Sequence, residues 1–298
     1  MKSLFAGAAN ASLLLLTGTL LAGLYALGKV AAAAGAMPAA ILLWQVGGGA
    51  AGLGCLSLAR GVRPPVSSAH LRYYLVSGVL GVSAPNALVY VAVQTVDLGV
   101  VALATALSAL FTYAGALLLD MERFASARFA GCVLGLAGVL ALLAPRDVLD
   151  AGADPRGLLA AVGAPLLLAA GNLYRTRAWP QGTPPLALAT GMLSLQLPLL
   201  AFAAALGGVA AGGGATTAGA LPSLAALAAA APLVYAAHFT LQHRGGPVYV
   251  SQLGYVMTIA GAVLGYQFFG ERYGLRAGLA AALVLGGVLL VNRGSRPG

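Results

Sequence analysis

Apolar residues run along this chain in ten long blocks, at 9–28, 38–58, 73–94, 98–119, 125–143, 157–174, 186–206, 222–242, 247–269 and 274–291. Each is close to the roughly 20 residues that carry an α-helix across a hydrocarbon layer. Polar residues gather between the blocks. Arg60, Arg63 and Arg72 follow the second, Asp147, Asp150 and Asp154 follow the fifth, and Arg175 and Arg177 follow the sixth. Pro38 and Pro247 open blocks, where proline suits a first helical turn. A Gly-rich linker fills 207–219. The pattern predicts an all-α polytopic membrane protein with ten transmembrane helices. Lys2, Leu13 to Leu16 and Ala31 to Ala34 could mark the first block as a signal peptide. Nine spans follow it and the repeat described next requires it, so it is expected to stay in the membrane.

The chain repeats itself. Glu122-Arg123-Phe124 leads an apolar run ending in Gly138-Val139-Leu140, and Glu271-Arg272-Tyr273 leads one ending in Gly287-Val288-Leu289, offset by half of the 298 residues. Leu134 and Leu136 match Leu283 and Leu285 at the same offset. Apolar matches come cheaply here, but charged residues are scarce, so the Glu-Arg-aromatic anchor carries the argument. The expected division is 1–146 and 147–298, five helices each. An odd number of spans per half turns the second half upside down, giving two inverted-topology repeats, an arrangement found in transporters.

Composition agrees with a membrane protein and removes other classes. Only 8% of residues are charged, 60% are hydrophobic, and the mean hydropathy is +0.92. The net charge of +9 does not indicate nucleic acid, because the basic residues sit at the ends of apolar blocks rather than on one face. With the N-terminus inside, the ends and loops on that side hold 11 Lys and Arg against 5 outside. The positive-inside rule then puts both termini in the cytoplasm. The excess of Ala, Gly and Arg suggests a GC-rich bacterial genome and so a bacterial inner membrane. Cys55 and Cys132 lie inside apolar blocks and read as small core residues. No cofactor and no metal are expected.

Ten short helices in two halves, with a Glu before the last helix of each, resemble the drug/metabolite transporter superfamily, EamA type, over the whole chain. The overall pattern is most similar to bacterial aromatic amino-acid exporters. The resemblance implies a central cavity lined by helices of both halves, with the fifth helices packed apart from it.

No Asp, Glu, Lys or Arg lies near the middle of a block, so no carboxylate offers itself for proton coupling. The candidate substrate-binding residues are therefore neutral. In the third block Asn86 and Tyr90, with Gln94, form one face; in the eighth Tyr235, His238 and Gln242 do. Asn86 and Tyr235 share the repeat offset, and Pro85 and Pro232 stand nearby, each freeing a backbone carbonyl one turn earlier. Gln252 and Tyr255 in the ninth block and Trp44 and Gln45 in the second complete the set. Thr105, Ser108 and Thr112 face one way in the fourth block. Intramembrane polar groups often only join helices, for about 0.6 kcal/mol each, and Trp44 equally suits the membrane interface. His238 is expected as a neutral imidazole bonded to substrate or Tyr235. Lys29 is expected to reach out toward the headgroups, and Glu122 and Glu271 to favour the positive ends of their own helices. Gly131, Gly135 and Gly138 are expected to meet Gly278, Gly286 and Gly287.

The expected function is export of small metabolites, foremost aromatic or other apolar amino acids, by alternating access around a central cavity. Its partners would be the small-molecule substrate and the lipid bilayer, and a monomer is one reading of its assembly. Uniport fits the missing carboxylate; proton-coupled export of drugs or other metabolites is the alternative. An intramembrane enzyme is disfavoured, since His-Glu-x-x-His is absent and only three His occur. A nucleotide-sugar carrier would need buried Arg or Lys, and none stands out in the sequence.

Overall fold

The computed structural model describes residues 2–143, 155–206 and 219–271, with residues 278–279, 282–283, 286–287 and 290 beyond them. The helices are α1 (Lys2–Ala33), α2 (Pro38–Ala59), α3 (Ser68–Gly78), α4 (Ala84–Thr95), α5 (Leu98–Leu118), α6 (Ser126–Leu143), α7 (Pro155–Arg177), α8 (Pro185–Leu206), α9 (Leu221–Ser251) and α10 (Leu253–Phe269). No strand occurs among the described residues. A π-turn, Val79–Ser83, joins α3 to α4 into one 28-residue span, Ser68–Thr95. Among the described residues, seven helical stretches are long and apolar enough to cross a membrane; Ser126–Gly138 and α10 are apolar but shorter. The expected tenth span, the acidic loop and most of the Gly-rich linker lie largely outside the described residues.

Local chemistry explains the breaks. Pro85 has no N–H to donate and clashes with a tight preceding turn. The chain widens there into the π-turn, and the Asn86 side-chain amide donates to the Val82 carbonyl at 2.7 Å. Pro232 has no such effect on its own helix: α9 continues through it, and its ring rests where Gly52 of α2 leaves room. Gly246 interrupts α9 before Pro247, at φ 71° and ψ −174°, a conformation essentially confined to glycine. The eighth and ninth expected spans therefore meet at Gly246, inside one nominal helix.

The main helix contacts run between the sequence halves rather than within them. α2 packs on α8 and α9, α5 on α7 and α10, α4 on α7, and α1 on α9 and α10. Glycine allows the closest crossings. A Cβ on Gly171 of α7 would stand 2.5 Å from Gly81 Cα, and one on Gly48 of α2 would stand 2.5 Å from Ala228 Cα. α1 is part of this core, with Leu24, Tyr25 and Ala31 buried in it. Large apolar side chains such as Leu15, Leu58, Leu118, Phe202 and Phe268 stay exposed, as expected of a surface that faces lipid rather than water. α6 packs on α5 at the edge. A Cβ on Gly287 would stand 2.5 Å from the Gly131 carbonyl, so the small-residue faces of the fifth and tenth expected spans do meet there.

Candidate functional site

Three layers follow one another along the axis. The first is an ion pair. Lys29 at the end of α1 meets Glu271 after α10 at 2.6 Å, with side chains 18% and 4% exposed. Glu271 also accepts the backbone N–H groups of Leu98 and Gly99 at 2.8 and 3.2 Å. It thus caps α5, while the start of the helix it was expected to open lies outside the described residues; Lys29 is paired rather than reaching for headgroups. Asp97 occupies the N-cap position but makes no capping bond with its side chain. Partial burial and the Glu271 carboxylate raise its pKa from the ordinary carboxylate value, with Lys29 opposing.

The second layer is a polar network. Tyr90 packs against Gly28 and its hydroxyl donates to Gln45 Oε1 at 2.7 Å. The Gln45 amide donates to the Tyr235 hydroxyl at 3.1 Å. Tyr25 meets Tyr90 edge to face at 6.2 Å. Each group satisfies another, so the network ties α1, α2, α4 and α9 together.

Beneath it lies a cavity of about 50 Å³. Its walls come from α1 (Leu21, Tyr25), the π-turn and α4 (Gly81, Asn86), α5 (Thr105, Ser108), α7 (Leu168, Asn172, Arg175), and α9 with α10 (Val234, Tyr235, His238, Met257). The lining thus comes from the first, third and fourth expected spans of one half and the sixth, eighth and ninth of the other. His238 Nε2 is buried with no partner, and Tyr235 bonds Gln45 instead of His238. On the far side, past Arg175, which lies over the Phe239 ring, stands an aromatic group. Tyr73 stacks on Tyr174 at 6.2 Å and meets Trp179 edge to face, and Trp179 adjoins Phe239 and His243. A wider surface pocket lined by Ser68, Arg72, Tyr73 and Tyr174 lies against that group.

Of the nine candidate residues, Asn86, Tyr235 and His238 line the cavity, and Gln45 and Tyr90 form the layer above it. Gln242 lies below, donating to the Asn172 carbonyl and to Thr176. Three are placed elsewhere. Trp44 is 38% exposed on the outer face of α2. Tyr255 packs onto Gly135 of α6. Gln252, beside the break before α10, is buried with neither amide atom bonded.

The residue that sequence reasoning missed is Arg175. The hydropathy pattern puts it in the loop after the sixth block, but α7 runs on to Arg177 and Arg175 is 1% exposed. The premise that no buried Arg or Lys exists is therefore corrected. Asn172, Arg175 and Thr176 at helical spacing, on the same text as the loop arginines, were the available signal.

Multiple apolar spans around a small mixed-polarity cavity, with the chain's two halves sharing its walls, define a multi-pass membrane protein of the transporter class. The profile of the EamA-like transporter family matches residues 9–144 and again 155–293. The chain belongs to that family, which moves small molecules across membranes and is not a family of enzymes. No curated protein matches the chain. Among 22 matching chains of solved structures, one described only as a crystal structure of a protein superposes with a TM-score of 0.67. It is 21% identical, covering 94% of this chain and 98% of the other. That likeness concerns the fold alone.

Proposed function

We propose that this transporter exports amino acids, aromatic or otherwise apolar, by alternating access around the cavity, in a bacterial inner membrane with both termini cytoplasmic. The two halves, 1–146 and 147–298, would be inverted-topology repeats. The observation that carries the reading is the cavity wall, built from three spans of each half, so that any rocking of one half on the other opens or closes it. The double match to one family profile supports the repeat. A cavity of about 50 Å³ admits a few waters and no aromatic amino acid, so binding requires the halves to part. Lys29 and Glu271 would close the periplasmic end, and Tyr73, Tyr174 and Trp179 the cytoplasmic end.

No carboxylate lines the cavity among the described residues, which favours uniport over proton coupling. The test is uptake of L-phenylalanine, L-tyrosine, L-tryptophan and L-leucine into proteoliposomes, with and without an imposed pH gradient. Uptake should run down the amino-acid gradient in both cases. His238→Ala and Asn86→Ala should slow it severalfold. Ser57→Ala, which removes a hydroxyl contact between α2 and α8 at 2.8 Å, should leave it unchanged. Accumulation against the gradient only when protons flow would contradict uniport. Absence of uptake for all four would contradict the substrate class.

A further inference from the structure

Among the described residues, the cavity holds a cation without a counter-ion. The Arg175 guanidinium is buried at the cavity's edge, and it does not lose its charge in proteins. Among the described residues it makes one hydrogen bond, from Nη2 to Asn172 Oδ1 at 2.6 Å, and its buried Nε has no partner. It lies 5.7 Å from the centre of the Phe239 ring. No carboxylate among the described residues stands within ion-pair reach of it. A guanidinium has five N–H donors, and burying a charge with most of them unused is costly. The fold nevertheless makes room for it. Gly81, in the π-turn, is placed so that a Cβ there would stand 2.9 Å from the guanidinium carbon, and Gly171 lets α7 approach that turn. His238 Nε2, also buried and unpaired, faces the same cavity.

We infer that Arg175, positioned by Asn172 and Gly81, receives the carboxylate of the transported solute. A planar fork of N–H groups matches a carboxylate bidentately. His238 would supply a further hydrogen bond. The rest of the wall near it, Leu21, Tyr25, Leu168 and Met257, is apolar or aromatic and suits an apolar body. The solute is thus an apolar carboxylate. The amino-acid reading above is one case of it, and the inference rests on that reading only for taking the cavity as the binding site.

The test uses the full chain purified in detergent, with binding followed by the fluorescence of Trp179, which neighbours Phe239, and by thermal shift. Four probes separate the charges: L-phenylalanine, its amide, 3-phenylpropionate and phenethylamine. Both carboxylates should bind, and the amide and the amine should bind at least tenfold more weakly. Arg175→Gln should weaken carboxylate binding at least tenfold, and Arg175→Lys should recover part of it. Gly81→Ala, which keeps the charge but displaces the guanidinium, should weaken it by a smaller factor and shows the effect should Arg175→Gln fail to fold. Equal binding of L-phenylalanine and its amide, carboxylate binding by folded Arg175→Gln at the unaltered affinity, or no binding of either carboxylate would overturn the inference. Arg175-dependent binding of 3-phenylpropionate without L-phenylalanine would support it and sink the amino-acid reading instead.

Discussion

Glu122 and Glu271 occupy equivalent places in the sequence and have different partners, and the reason lies in two neighbours. Glu271 accepts N–H groups from Leu98 and Gly99 and pairs with Lys29. At the same offset, Leu98 corresponds to Pro247, which has no N–H to give, and Lys29 corresponds to Ala178. Glu122 therefore turns to Arg128 in its own half, at 2.5 Å. The anchor was legible in the sequence, but its partners were not, because they come from segments distant along the chain. Arg175 escaped notice for a similar reason: residue type and position near a loop suggest solvent, and only the length of α7 decides otherwise. Removing Glu271 leaves Lys29 unpaired in a mostly buried place. Glu271→Ala should cost about 3 kcal/mol, the low end for a buried pair because Lys29 keeps some exposure. Glu271→Gln retains an acceptor for α5 and should cost less. Thermal unfolding in detergent measures both, and an unchanged melting temperature for Glu271→Ala would contradict the pairing.

At the scale of elements, hydrophobic blocks of spanning length located nearly every helix. Ends were less accurate: the third span starts a turn earlier, at Ser68, and α9 runs nominally through to Ser251. Two prolines in similar text, Pro85 and Pro232, gave a π-turn and an uninterrupted helix. What differs is what each meets, a crossing with α7 in one case and the glycine groove of α2 in the other. Periodicity cannot express this, since it lies in the neighbouring helix. The same logic separates Asn86 and His238, which reach the cavity, from Tyr255, whose face turns to α6. Close crossing is the device that sets these faces. Gly171→Ala would drive a methyl into the Gly81 backbone and should destabilise the protein by about 1–3 kcal/mol, as overpacking does. Gly54→Ala, which meets open space, should be neutral or stabilising through helix propensity. Equal melting temperatures for the two variants would show that the α7 crossing tolerates a side chain.

At the scale of the whole molecule, the contacts between the sequence halves make a single body around a shared cavity. The proposed inverted arrangement predicts that equivalent loops face opposite sides. With Cys55 and Cys132 replaced, Met37→Cys should react with a membrane-impermeant reagent only from the periplasm, and Gln181→Cys only from the cytoplasm. Reaction of both from one side would rule out the inversion. The central claim is that the solute passes through the cavity. Ser108 is buried in its wall on α5. Ser108→Phe should fill the space that its walls enclose and leave the outer faces of the helices untouched. The most direct measurement is initial uptake into proteoliposomes by Ser108→Phe, beside the unsubstituted protein at equal folded amount. The account predicts loss of nearly all uptake with a single symmetric elution peak in detergent; uptake at the unsubstituted rate by the folded variant would contradict it.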